Sequence, residues 1–165
     1  MLALVALLLV CHVARAQDTE ETLDPWLGCW TRVYDAAHLA KHSGQKVTAL
    51  TLSISAREPA GDNDPGKYLA KVTAKMRNAG DTYTNLNGAR CTEASDRLTC
   101  VTDGFYVGQF SLEPAAKNMK LMFQGGDHLA LVPGVDLDAF AVLSAANPEH
   151  ALFLLQPAQA AACRK

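Results

Sequence analysis

Residues 47–57, Val-Thr-Ala-Leu-Thr-Leu-Ser-Ile-Ser-Ala-Arg, carry the clearest structural signal in the chain. Apolar and polar side chains alternate here, and the apolar set is Leu50, Leu52, Ile54 and Ala56. Because successive side chains of a β-strand point to opposite faces, this period of two indicates a strand that is buried on one face only. Residues 68–77 (YLAKVTAKMR) repeat the pattern, and their polar face holds Lys71, Thr73, Lys75 and Arg77. One-sided burial of this kind is typical of antiparallel sheets.

Short apolar windows separated by Gly, Pro, Asn and Asp continue along the rest of the chain. Further strands are predicted at residues 26–34, 83–93, 97–102, 105–113, 119–124, 128–132, 139–144 and 151–156. Helical periodicity is scarce, and one short helix is predicted at residues 36–42, with Asp35 as its N-terminal cap. The fold prediction is all-β: a closed antiparallel β-barrel of 8–10 strands with one short helix, or alternatively a two-sheet β-sandwich.

The N-terminus has the composition of a secretory signal peptide. Residues 2–10 form an apolar run that is too short to span a bilayer as a helix, and Ala14-Arg15-Ala16 supplies the small residues of a cleavage site. The predicted division is a signal peptide at residues 1–16, a disordered, acidic lead-in at residues 17–24 and a single domain at residues 25–165. We therefore expect a periplasmic or secreted protein without a membrane span after cleavage.

Four cysteines remain once Cys11 has left with the signal peptide, and in an oxidising compartment we expect them to pair. Residues 91–100 (CTEASDRLTC) indicate a hairpin in which Ser95-Asp96 is the two-residue turn. In that register Cys91 lies opposite Cys100 at a non-hydrogen-bonded pair, where side chains of opposed strands come closest. This position suits a disulfide, and free buried thiols are the alternative.

The second predicted disulfide joins Cys29 to Cys163 by elimination. It would link the first strand to the C-terminal end of the chain, and such a link favours a sheet that closes on itself.

Composition excludes several classes of function. The chain has 165 residues with 15 Lys+Arg and 17 Asp+Glu, so its formal net charge of -2 offers no basic surface for nucleic acid. No nucleophile elbow, phosphate-binding loop, dinucleotide fingerprint or Cys-x-x-Cys motif is present. The sequence therefore predicts a protein that is not an enzyme and that uses no cofactor.

The stretch Trp26-Leu27-Gly28-Cys29-Trp30-Thr31-Arg32 resembles the first strand of lipocalin-like (calycin-type) β-barrels, because Gly28 and Trp30 form their Gly-x-Trp motif. The resemblance covers roughly residues 23–156. It implies an eight-stranded cup in which Trp30 seals the closed end, and it implies that a small ligand binds inside.

Large apolar or amphipathic side chains on alternating strand positions are candidates to line such a cup: Tyr68, Met76, Tyr83, Tyr106, Phe110, Met119, Leu121 and Phe123. The same residues could simply fill the core of a small barrel. The predicted function is the binding of a small apolar ligand in the barrel interior. The alternative is a protein-interaction module or enzyme inhibitor that acts through exposed loops.

Histidines offer one weak candidate for metal binding. His38 and His42 are four residues apart, which on a helix places both imidazoles on one face. A third ligand has no evident source, so the prediction is two surface histidines and no bound metal. We also expect His128 and His150 to face solvent.

Overall fold

The computed structural model describes residues 24–58, 61, 64, 66–104, 107–134 and 139–164. These residues form one helix, α1 (Ala36–Lys41), two 3-10 turns (Pro148–His150 and Ala160–Cys163) and eleven strands. The strands are β1 (Gly28–Val33), β2 (Val47–Ala56), β3 (Tyr68–Met76), β4 (Thr82–Thr84), β5 (Ala89–Ala94), β6 (Arg97–Thr102), β7 (Gly108–Ala115), β8 (Asn118–Met122), β9 (His128–Pro133), β10 (Ala141–Ser144) and β11 (Leu152–Pro157). The all-β prediction with one short helix is confirmed. In the ranges described, neither α1 nor the turns have the length and apolar character of a membrane-spanning helix.

Eight strands close into an antiparallel barrel, as predicted. Around the ring, β1, β2, β3, β5, β6, β7, β8 and β11 follow one another in chain order, and β11 pairs with β1 to complete it. The alternative of a two-sheet sandwich is wrong, because the pairing of β3 with β5 leaves no gap in the hydrogen-bonded ring. This up-and-down order is compatible with a lipocalin-like barrel.

Strands β4, β9 and β10 are additions to the ring. Strand β9 pairs with β4 on one side and with β10 on the other. The prediction of a single strand at residues 83–93 is wrong, because β4 and β5 are separate and pair with opposite ends of β3. A turn from Asn85 to Gly88 divides them, and Gly88 has a φ of 72°, which glycine adopts at little cost.

Both predicted cysteine pairs are at bonding distance. Cys91 and Cys100 face each other in the predicted register, with a Cα–Cα distance of 4.0 Å and an S–S distance of 2.00 Å. Cys29 and Cys163 have a Cα–Cα distance of 6.0 Å and an S–S distance of 2.09 Å. The second bond ties β1 to the 3-10 turn that follows β11.

The segment that precedes β1 is fastened to β3 and β5. Trp26 is buried in the core, and its indole Nε1 donates a hydrogen bond to Glu93 over 2.9 Å. Asp24 accepts hydrogen bonds from the backbone N–H of Trp26 over 3.0 Å and from the hydroxyl of Tyr68 over 2.8 Å. Asp24 is the last residue of the predicted lead-in, and residues 17–23 and the predicted signal peptide lie outside the described residues.

Candidate functional site

Most side chains predicted to line the interior are buried in the core of the barrel. Tyr68, Phe110 and Phe123 have exposed fractions of 7%, 0% and 3%, and Met119 and Leu121 are equally buried. A side chain with no exposed area has no water-sized space beside it, so Phe110 and Leu121 adjoin no cavity. Burial, and then the hydrogen bond to Asp24, raise the pKa of Tyr68 to about 12, so this hydroxyl stays protonated.

Two of the other predicted lining residues lie at the edge of this core. Met76 and Tyr83 are partly buried and pack against the fully buried side chains. Tyr106 lies outside the described residues. The ligand-binding role of the whole set stays a prediction.

A groove of about 420 Å³ lies on the outside of the barrel, and we call it the outer groove. Its lining consists of Ala49, Thr51, Lys71, Thr73, Lys75, Thr82, Thr84, Gly134, Ala162 and Cys163. The outward faces of β2, β3 and β4 form the floor. The 3-10 turn at Ala160–Cys163, held by the disulfide to Cys29, stands at one side, and Gly134 after β9 stands at another.

A row of threonines crosses the floor of the outer groove. The strand register pairs Thr51 with Thr73 and Thr73 with Thr84, and it continues the row to Thr31 on β1. Neighbouring strands are about 4.8 Å apart, so four hydroxyls are spread over roughly 14 Å. The hydroxyl of Thr84 donates a hydrogen bond to the carbonyl of Val72 over 3.1 Å, which fixes its orientation.

Two lysines give the outer groove a positive charge. Lys71 and Lys75 flank Thr73 on β3, and four residues of extended strand separate their Cα atoms by about 13 Å. Both are exposed, and within the described residues no carboxylate forms an ion pair with either. The described lining contains no acidic side chain, although the chain as a whole has a net charge of -2.

A second depression, of about 530 Å³, lies on the other side of the Cys29–Cys163 bond. It is bordered by Gly28, Ser53 and Arg164 and is more open to solvent than the outer groove. A smaller pocket of about 180 Å³ lies beside the Asn85–Gly88 turn. The outer groove is therefore the larger of the two pockets that are less open to solvent.

Helix α1 begins as predicted, with the carboxylate of Asp35 accepting a hydrogen bond from the backbone N–H of His38 over 2.7 Å. The rings of His38 and His42 are stacked with their centroids 4.2 Å apart. Nδ1 of His42 lies 3.0 Å from the carboxylate of Glu149. Among the residues that the structure describes, no three His, Cys, Asp or Glu side chains come together as a metal site. The contact between His42 and Glu149 connects the C-terminal end of α1 to the segment that precedes β11.

The prediction that His150 faces solvent is wrong, whereas His128 is exposed as expected. His150 ends a 3-10 turn and is only 3% exposed. Its Nε2 accepts a hydrogen bond from the backbone N–H of Lys46 over 3.2 Å, which places the proton on Nδ1. Nδ1 is buried and has no hydrogen-bond partner among the described residues. Burial lowers the pKa of His150 below its usual value of 6.5, because it disfavours the charged imidazolium.

We expect the free energy of unfolding to fall as the pH drops below 6.5, because the unfolded chain then takes up a proton that folded His150 resists. The neighbouring charges act in opposite directions: Glu149 raises the pKa of His150 and Lys46 lowers it. The stabilisation is complete above pH 6.5 and is lost as the pH approaches the lowered folded pKa. The slope cannot exceed about 1.4 kcal/mol per pH unit.

Urea unfolding of the wild type and of His150→Gln between about pH 5 and pH 8 checks this. Glutamine keeps an acceptor for the Lys46 N–H but does not titrate, so the difference between the two curves should slope below pH 6.5 and be flat above it. His128→Gln, at an exposed position, is the matched control and should parallel the wild type. Parallel curves for the wild type and His150→Gln would contradict the assignment.

Comparisons with protein-family models, with curated proteins and with solved structures found no match for this chain.

Proposed function

We propose that the protein is an exported binding protein that holds a small ligand in the outer groove. The observation that carries this proposal is the volume of the groove, about 420 Å³, which lies within the range of roughly 300–1,000 Å³ that is usual for ligand sites. Its floor consists of strands that are hydrogen-bonded to neighbours on both sides, and a disulfide holds one side. A ligand would therefore meet a preformed surface, which lowers the entropic cost of binding.

Export is supported by the cysteines. The four cysteines that follow the predicted signal peptide form two pairs at bonding distance, and such bonds persist in oxidising compartments such as the periplasm or the extracellular space. The proposed signal peptide at residues 1–16 agrees with this, although it lies outside the described residues.

The test is intact mass measured under native and denaturing conditions on protein purified from the exported fraction. A native-only excess in the wild type reports a retained ligand. Thr73→Trp would fill the floor of the outer groove and should abolish that excess. Thr99→Trp, the same change on the outward face of β6, is the matched control and should keep it. Identical native and denatured masses for the wild type would contradict the proposal.

A small apolar ligand inside the barrel is the second candidate function. The observation that favours it is the partial exposure of Met76 and Tyr83 at the edge of the core, since a ligand could enter there. A native-only mass excess that survives in Thr73→Trp would favour this interior site over the outer groove.

A protein-interaction module or enzyme inhibitor is the third candidate. Adjacent strands β1 and β11 expose Val33, Leu152 and Leu154, with exposed fractions of 73%, 49% and 40%. Such an apolar patch is typical of interaction surfaces. A partner protein retained in the native mass in place of a small ligand would support this function.

A further inference from the structure

We infer that the ligand of the outer groove is a short acidic oligosaccharide; this inference rests on the proposed function of the groove and identifies the chemical class that it binds. Three properties of the groove carry the inference: its isolated positive charges, its row of hydroxyls, and the absence of a free strand edge in its floor.

The charge of the groove selects an anion. Lys71 and Lys75 stand on either side of Thr73 without a carboxylate partner in the described residues. An ammonium group binds a carboxylate or sulfate through a charge-assisted hydrogen bond, which is stronger than a neutral one. The Cα atoms of the two lysines are about 13 Å apart, so their flexible side chains can reach acidic groups that are separated along an extended ligand.

The threonine side chains between the lysines suit the neutral hydroxyl and C–H groups of a sugar. Thr51, Thr73 and Thr84 lie side by side across three strands. The hydroxyl of Thr73 donates a hydrogen bond to that of Thr84 over 3.4 Å, and Thr84 donates one to the carbonyl of Val72, so both hydroxyls offer acceptors to the O–H groups of a ligand. Their methyl groups, with Ala49 and Ala162, provide small apolar surfaces against which the C–H groups of a sugar ring can pack. A row of sugar hydroxyls matches this alternation of polar and apolar atoms.

The floor disfavours an acidic peptide. Extended peptides usually bind a sheet by adding a strand to an unpaired edge. Strand β2 is paired with β1 and β3, and β3 is paired with β2 on one side and with β4 and β5 on the other. A peptide in the groove would therefore find no edge to extend.

The total charge disfavours a long polyanion such as a nucleic acid. Binding of nucleic acid depends on the neutralisation of many phosphates. The groove offers two lysines on a chain whose formal net charge is -2, so it can neutralise a few acidic groups only.

The experiment is calorimetric titration of the full-length exported protein with three acidic probes: a galacturonate tetramer, a mannuronate tetramer and a heparin tetrasaccharide. Maltotetraose is the neutral probe and hexaglutamate the peptide probe. We expect at least one acidic sugar to bind more tightly than about 1 mM. Lys71→Glu/Lys75→Glu should weaken this binding at least tenfold, whereas Lys41→Glu/Lys117→Glu, with the same charge change at exposed positions elsewhere, should not.

The inference is overturned if none of the acidic sugars binds, if maltotetraose or hexaglutamate binds as tightly, or if both double variants lose affinity equally. These outcomes are distinguishable from failure of the proposed function. If the wild type retains a ligand that Thr73→Trp loses, but no acidic sugar binds, the groove is a ligand site and the inference of an acidic oligosaccharide is wrong. Circular dichroism of each variant verifies that the barrel remains folded.

Discussion

Removal of the Cys29–Cys163 disulfide, in the variant Cys29→Ala/Cys163→Ala, should lower the free energy of unfolding by about 3–5 kcal/mol. The bond joins residues separated by 134 positions, so in the unfolded chain it closes a very long loop and restricts many conformations. The Cys91–Cys100 bond spans 9 positions inside one hairpin, and its removal should cost less, about 2–3 kcal/mol. Urea unfolding of both double variants at neutral pH measures the two values.

The two bonds also differ in their expected effect on the outer groove. Cys163 belongs to the groove lining, whereas Cys91 and Cys100 are fully buried between β5 and β6. Cys29→Ala/Cys163→Ala should therefore release the 3-10 turn and weaken ligand retention in the folded protein. Cys91→Ala/Cys100→Ala is the control for lost stability alone. Equal stability losses in the two variants would contradict the loop-length explanation.

Local patterns in the sequence account for most of the barrel. The alternation in residues 47–57 and 68–77 predicts β2 and β3 within one residue at each end, because side-chain period is a property of the strand itself. The two-residue turn at Ser95-Asp96 predicts the register of the β5–β6 hairpin and places Cys91 opposite Cys100, and the structure confirms this register. Closure of the sheet agrees with the Cys29–Cys163 link.

Features that depend on distant contacts could not be predicted in the same way. Arg77 was predicted to face water, but its guanidinium donates to the carbonyls of Leu39 and His42 over 2.9 and 3.2 Å. The prediction for His150 has a different basis, because this residue follows Asn147-Pro148 and a polar residue next to a turn is usually solvated. Arg77 is partly buried and His150 is buried by contacts with the segment between β1 and β2, which contains Leu39, His42 and Lys46. The alternation of polar and apolar residues within a strand gives no information on such contacts.

Only part of the outer groove could be predicted from the sequence. The predicted outward face of β3, with Lys71, Thr73 and Lys75, is confirmed. The opposite side comes from Cys163, about ninety positions later in the chain. A groove exists only because the ring closes and brings this turn over β2 and β3. Alternation in the sequence identifies the outward face of each strand, but it cannot show which distant segment packs beside that face.

Asn85 fills a gap in the pairing of β3, so its loss should destabilise the barrel. Strand β3 pairs with β5 through residues 68–70 and with β4 through residues 73–75. Between these two regions, the side chain of Asn85 accepts a hydrogen bond from the N–H of Val72 over 2.7 Å and donates one to the carbonyl of Ala70 over 3.1 Å. The amide thus takes the place of a missing strand.

We expect Asn85→Ala to lower the free energy of unfolding by about 1–3 kcal/mol, since it leaves the buried backbone N–H of Val72 without its partner. Asn87→Ala, at an exposed asparagine of the same turn, should change the free energy of unfolding by less than about 0.5 kcal/mol.

Asn85→Asp keeps the acceptor for the N–H of Val72, but while the new carboxylate is ionised it cannot donate a hydrogen bond to the carbonyl of Ala70. Since burial raises the pKa of a carboxyl group, this variant should regain stability relative to the wild type as the pH is lowered and the carboxyl acquires a proton. Urea unfolding at several pH values, with hydrogen exchange of the Val72 amide, tests both expectations. Equal effects of Asn85→Ala and Asn87→Ala would show that β3 does not need this bridge.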